Sequence, residues 1–254
     1  MRITFLGTGT SQGVPLISCK CAVCTSTDER DKRLRSSISL SIGGKYIVID
    51  SGPDFRQQML RENATHLDAI IFTHEHKDHI AGLDDVRAFN FTMGEPMNVY
   101  CTEQVEAALR REFHYAFSEK KYPGVPEIIL NRIENFPFKI NEIEFTPIEV
   151  LHFKMKVFGY RIGNFTYITD ANFISEEEIQ KAMGSEILVL NALRREPHPS
   201  HFTFDEALEL VARIKPKKAY LTHISHQLGK HEDVTLELPE NVHLAYDGLT
   251  LELE

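Results

Sequence analysis

The stretch "LDAIIFTHEHKDHIAGL", residues 67–83, runs from an apolar, strand-like segment straight into His74, His76, Asp78 and His79. Four metal-ligand residue types within six positions, anchored to a strand, call for a fold that brings further donors to the same point. Side chains alternate along an extended chain, so His74 and His76 are aimed to one side and can share an ion. Asp78 and His79 then face a second ion close by. The competing reading is a solvated polar loop with Glu75 and Lys77 pointing outward, but such a loop needs no strand-anchored histidines.

Further donors stand where other β-like runs end. His152 follows "EFTPIEVL", Asp170 closes "FTYITD" and His223 closes "KAYLTH". Taken singly, each reads as a surface or hydrogen-bonded residue. As a set they are the best-placed partners for the first cluster, along one edge of a sheet. Runs rich in Val, Ile, Tyr, Phe and Thr recur along the chain, bounded by Gly, Asn or Asp. Helical patterns separate them, among them "CTEQVEAALRREFHYAF" and "TFDEALELVARIKP", with Thr203 as N-cap and Pro216 past the end. This mixture predicts a layered α/β fold. A hairpin turn is expected at Gly163-Asn164, and residues 110–127 read as a surface excursion.

Three cysteines, Cys19, Cys21 and Cys24, fall within six residues, and a tetrahedral ion would need a fourth ligand beside them. The start "MRITFLGTGTSQG" lacks the pattern of a signal peptide, so a cytoplasmic location is expected and the cysteines read as metal ligands rather than disulfides. No apolar run nears the ~18 residues that span a bilayer. The net charge of −9 provides no basic field for a nucleic-acid backbone. The glycines of "GTGTSQG" lack the Lys-Ser/Thr ending of a phosphate loop and suit a tight turn after a strand. Cys101 reads as a buried small hydrophobe, His198 as a surface residue, and Arg87 as a phosphate contact or a partner of Asp84 or Asp85.

His74-x-His76-x-Asp78-His79, followed by His152, Asp170 and His223, resembles the signature of the metallo-β-lactamase superfamily. The resemblance implies one domain over residues 1–254, a four-layered αββα sandwich with its site at one edge of two sheets. It implies two catalytic ions, zinc or manganese: His74, His76 and His152 on one, Asp78, His79 and His223 on the other, Asp170 bridging. Asp50 in "IVIDSG" would orient the site without binding metal. Two carboxylates among five neutral imidazoles leave such a pair of ions net positive. It would attract phosphate oxygens and lower the pKa of bound water towards ~7, supplying hydroxide.

A narrower likeness covers most of the chain. "GTGTSQGVP", "CKCAVC", "THEHKDHIAGL", "LTHISHQ" and "AYDG" together resemble the phosphonate-pathway cyclic phosphodiesterases. That likeness implies a structural zinc held by Cys19, Cys21, Cys24 and His226. It also implies that His201 of "PSHFTF" is a catalytic, non-ligand histidine beside the leaving group, a task suited to a group titrating near neutrality; Asp78 joins it in the expected catalytic set. The expected function is therefore phosphodiester hydrolysis on a small phosphate ester, cyclic esters included. The partners expected are that small molecule, not a membrane or a long nucleic acid, with a homodimer left open. The rival readings are a nuclease like the tRNA 3′-processing endonucleases, for which residues 110–127 make a poor RNA-binding arm, and a non-catalytic metal-binding module.

Overall fold

The structure, a computed structural model, describes residues 1–253. Its first strands are β1 (Arg2–Gly7), β2 (Ser37–Ile42), β3 (Lys45–Ile49), β4 (Ala69–Ile71), β5 (Met97–Cys101), β6 (Ile128–Arg132) and β7 (Phe138–Ile140). The later ones are β8 (Ile143–His152), β9 (Met155–Ile162), β10 (Phe165–Ile168), β11 (Phe173–Ile174), β12 (Ile187–Asn191), β13 (Lys218–Thr222), β14 (Val242–Leu244) and β15 (Thr250–Glu252). They make two sheets, ordered β15-β1-β2-β3-β4-β5-β6 and β11-β8-β9-β10-β12-β13-β14, with β7 on β8. Each sheet joins an antiparallel half to a parallel half: β1 to β3 then β3 to β6, and β8 to β10 then β10 to β14.

Strand alternation decides how these sheets stack. Ile47 and Ile49 of β3 and Ala69 and Ile71 of β4 face a core shared with Phe165, Tyr167 and Val189 of the second sheet. Val48 and Ile70, one residue out of phase, face the opposite side and pack with Phe55, Met59, Val105 and Leu109 of the helices Phe55–Arg61 and Glu103–Glu112. On the second sheet Leu188, Leu190, Ala219 and Leu221 meet Ile179, Phe204, Ala207 and Val211 of the helices Glu176–Ala182 and Phe204–Ile214. Strands buried on both faces need continuous apolar runs, as "AIIF" and "ILVLN" provide. The result is the four-layered αββα sandwich.

Local signals match the sequence reading in most places. Thr203 caps Phe204–Ile214 through a reciprocal box with Glu206, and Lys215 ends the helix at φ +56° just before Pro216. Ile162 pairs with Phe165 across a turn whose first residue, Gly163, has φ +56°. Of the expected excursion over 110–127 only 118–124 form an exposed loop, for the chain before it lies in the helices Glu103–Glu112 and His114–Phe117 and buries Phe113 and Ala116 in the core. A second expectation needs correction. β4 stops at Ile71, so His74 and His76 lie in the loop beyond it, and strand alternation is not what aims them.

That loop is instead held from beneath. The fully buried Tyr160 of β9 donates its hydroxyl to the Phe72 carbonyl at 2.6 Å. Tyr160→Phe keeps the ring but leaves that buried carbonyl short of a donor. It is expected to lower unfolding free energy by about 1–3 kcal/mol in denaturant titration with an unchanged m-value. A stability equal to wild type would show that the bond does not anchor the loop.

Candidate active site

Four of the candidate donors stand where the chain leaves a strand at the same edge of the sandwich. His152 is the last residue of β8, Asp170 follows β10, His223 follows β13, and His74 follows β4. Asp50, Asp170 and His223 leave their strands at φ +66°, +55° and +54°. These are left-handed conformations that non-glycine residues seldom adopt outside functional sites. The turn Lys77–Ile80, which carries Asp78 and His79, fits against the exit of β3 only because Gly52 is there. A β-carbon on Gly52 would stand 2.0 Å from the Asp78 carbonyl oxygen.

Asp50 organises the cluster from underneath. Its Oδ1 accepts the Thr73 N–H at 2.8 Å, and its Oδ2 accepts the Thr73 hydroxyl at 2.8 Å and His79 Nδ1–H at 2.7 Å. With its proton given to Asp50, Thr73 Oγ1 accepts Nδ1–H of His74 at 2.9 Å. Both rings are thereby fixed in one tautomer, with Nε2 bare and turned into the site. His152 is fixed likewise, since its Nδ1 donates to the Ser200 carbonyl at 2.8 Å. His223 turns Nδ1 towards Ser36 Oγ and Asp170 Oδ2, 3.2 Å from each.

The bare atoms sit at ligand spacing. Zinc–nitrogen bonds of about 2.0–2.1 Å in a tetrahedron place neighbouring donors about 3.3 Å apart. His74 Nε2 lies 3.1 Å from His76 Nδ1. His79 Nε2 lies 3.2 Å from Asp78 Oδ2 and 3.3 Å from Asp170 Oδ2. His79 Nε2 is also buried and hydrogen-bonds to neither, a donor atom with no partner of its own. Donor atoms of His74, His76 and His152 gather within 4.8 Å of one another, as do those of His74, His79 and Asp170. Both groups have the residue types and the spacing of ligands to divalent metal.

The electrostatics point the same way. Burial would lower the pKa of His79, but Asp78, Asp170 and Asp50 outweigh it and hold it well above the ordinary value. Burial would raise Asp170, yet the charges of His223 and His79 hold it well below the carboxylate range. Without ions, a second proton on His79 Nε2 stands where a cation would, facing Asp78 and Asp170. His201 behaves differently. Burial first, then His223, push it down to about 2 in the ion-free protein. Its ring nonetheless belongs to the cluster, with centroids 4.6 Å from His152 and 4.7 Å from His223. Its Nδ1 is buried, lacks a hydrogen-bond partner and lies 3.9 Å from Asp170 Oδ1.

A second donor set stands apart. His226 Nδ1 is 3.5 Å from Cys19 Sγ and 3.3 Å from Cys21 Sγ, and Cys24 completes the group. Zinc bonds of about 2.3 Å to sulfur and 2.0 Å to nitrogen imply about 3.5 Å between them, so this set fits a closed tetrahedral ion. The N–H of Cys24 and the ring of His226 push the Cys21 thiol down to about 6, while burial and its fellow thiols push Cys24 up to about 11. One thiol is thus eased towards thiolate and its neighbour held away from it.

Some residues behave otherwise than the sequence suggested. Arg87 pairs with Asp84 at 3.2 Å and does not enter the cluster. Cys101 is buried in the core, as read. His198, read as surface, is half-buried with its ring 5.0 Å from His201. Ser36 and Asn191 were not singled out. Asn191 exchanges two hydrogen bonds with the Ala171 backbone and so fixes the loop behind Asp170. Contacts between distant segments, such as Ser36 with His223, leave no local pattern to read.

A family profile described as the beta-lactamase superfamily domain matches residues 45–224. The chain belongs to the metallo-β-lactamase superfamily. Within the superfamily it is similar to a solved structure described as a new diphosphatase from the PhnP family. Identity is 41% and the TM-score 0.94, covering all of this chain and 98% of the other. Zinc-bound PqqB from Methylobacterium extorquens shares the fold at 20% identity and TM-score 0.79, each chain fully covered. So does the short human tRNase Z at 18% and 0.71, again with full coverage. A protein of Porphyromonas gingivalis named octanoyltransferase is 38% identical over 98% of this chain, which spans about half (51%) of that relative. The chain carries a donor set of the kind that binds divalent metal. No helix among the described residues is long and apolar enough to cross a membrane.

Two outcomes follow from the charges. A raised His79 stabilises the ion-free protein fully below its unfolded pKa of ~6.5, and this is lost as pH rises through the folded value. The depressed Asp170 stabilises above ~3.9, and this is lost only as pH falls through its own folded value. Loading ions must displace the His79 proton. The gap in melting temperature between metal-loaded and chelated protein should therefore widen from pH 6 to pH 9. A pH-independent gap would contradict the ligand role of His79. Cys21→Ser should lower zinc content by about one equivalent and lower the melting temperature, because a closed four-ligand shell ties residues near 20 to residues near 226. Unchanged zinc and melting temperature would mean free thiols.

Proposed function

We propose that this chain is a metal-dependent phosphodiesterase acting on a small, anionic phosphate ester, with a cyclic ester among the candidates. The observation that carries the reading is the position of Asp170, whose carboxylate gathers within 4.8 Å of donor atoms of both His74 and His79, one from each proposed set. One carboxylate faces two donor groups. The likeness to a PhnP-family diphosphatase supports phosphorus chemistry, and extends the candidate bond to a phosphoanhydride. We also take residues 1–254 as one folding unit, consistent with β15 pairing on β1.

In this reading His74, His76 and His152 would hold one ion, and Asp78, His79 and His223 the other, with Asp170 shared. Bound there, zinc or manganese supplies Lewis acidity towards phosphate oxygens and a lowered pKa for water. The chain does the rest. Asp50 and Thr73 hold His74 and His79 in the tautomer that leaves Nε2 free. The Ser200 carbonyl does the same for His152. His201 is buried and neutral, so in the free protein it can offer an N–H to a departing oxygen but carries no charge. An anionic ester beside it favours its protonated form and equips it to give up a proton. The cysteine set lies outside this chemistry and would hold a structural zinc.

Protein loaded with zinc or manganese is expected to hydrolyse bis(p-nitrophenyl) phosphate, and Asp170→Ala to abolish turnover. His201→Ala should keep its metal and lose about 10²–10⁴-fold on alkyl esters, but far less on p-nitrophenyl esters that need no proton. An octanoyl thioester belongs in the same assay, since the Porphyromonas gingivalis relative is named octanoyltransferase. Turnover of the thioester without any diester hydrolysis would overturn the phosphodiesterase reading in favour of acyl chemistry.

A further inference from the structure

Two clefts flank the candidate site, and they differ in character. One, of about 300 Å³, opens beside His201 and His223 and is lined by polar side chains including Gln12, Arg194 and Gln227. The other, of about 630 Å³, is largely apolar and opens onto His76 and His152, with Phe153, Lys154 and Met155 along its wall.

Phe153 is the unusual residue of that wall. It is the first residue of the two-residue turn joining β8 to β9, where His152 pairs with Met155. Its φ is +58°, a value that such a turn ordinarily assigns to glycine. A bulky residue held there is strained and persists only where the surroundings fix it. Asn172 supplies the fixing, its Oδ1 accepting the Phe153 N–H at 2.6 Å. The ring gains no core contact in return, for it is 57% exposed. A large apolar ring kept outside the core on a strained backbone, one residue from a candidate ligand, serves a ligand better than it serves the fold. Lys154 Nζ stands 5.4 Å from the ring centroid, so a cation accompanies the ring at the mouth of the cleft.

We propose that Phe153 and Lys154 form a specificity subsite for a planar aromatic group, of the kind a nucleobase carries, on the non-leaving side of the phosphate ester. This rests on the phosphodiesterase reading above and deepens it. His201 marks the leaving-group side and borders the polar cleft, so the part that keeps the phosphate lies towards His76 and His152. There the ring of Phe153 stacks on the aromatic group, and Lys154 meets the ester's negative charge.

Binding separates this inference from the catalytic reading. Isothermal titration of metal-loaded protein with phenyl phosphate and methyl phosphate should give about three- to tenfold tighter binding of the phenyl ester, the range that one aromatic contact provides. Phe153→Gly relieves the backbone strain, so its melting temperature should not fall, yet the preference should vanish. Phe153→Trp should keep it. Equal affinities in the wild-type protein, or a preference surviving in Phe153→Gly, would overturn the subsite. Octyl phosphate binding more tightly than phenyl phosphate would also overturn it, in favour of an alkyl groove. Absence of diester turnover bears on the catalytic reading alone, because these monoesters report on the cleft without any reaction.

Discussion

A carboxylate buried without partners costs several kcal/mol, and Asp50 avoids that cost by accepting three hydrogen bonds from the segment that leaves β4. Two go to Thr73 and one to His79, so a single side chain fixes where the histidine-rich segment begins and how its rings turn. His74 is reached through Thr73. If that carboxylate were lost, both rings would be free to choose the other tautomer and turn a proton into the site. The remaining ligand candidates depend on this first pair being right.

The sandwich makes the arrangement rigid. Parallel strands β3 and β4 in one sheet and β10, β12 and β13 in the other all end at the same edge, which sets Asp50, His74, Asp170 and His223 within reach of one another. Asp50, Phe153, Asp170 and His223 leave their strands at positive φ. Each such residue stores local strain that the packed strands beneath it sustain. Three of the four surround the candidate ions. The fourth, Phe153, differs in being exposed, and is the one that faces the apolar cleft.

Much of this was legible in the sequence because it is local. Apolar runs gave the strands, Thr203 and Pro216 bounded a helix, and the spacing of His74, His76, Asp78 and His79 marked the site. The pairing of His226 with the cysteines came from family likeness, not from spacing, since 202 residues separate Cys24 from His226. What stayed hidden was tertiary. Ser36 reaches His223 across 187 residues, and Asn191 reaches Ala171 across 20. His198 looked like surface because two prolines flank it, and only the fold lays its ring beside His201. The burial that lowers the pKa of His201 was equally invisible, since it too comes from the fold.

Two chemically distinct donor sets are proposed to hold three ions. Anomalous scattering from crystals of the purified protein at the zinc absorption edge tests it most directly. Three peaks are expected: two in the histidine–carboxylate cluster with Asp170 between them, and one among Cys19, Cys21, Cys24 and His226. On manganese exchange the first two should fade while the cysteine peak stays, because thiolates favour zinc. A single peak in the histidine cluster, or none at the cysteines, would contradict the account.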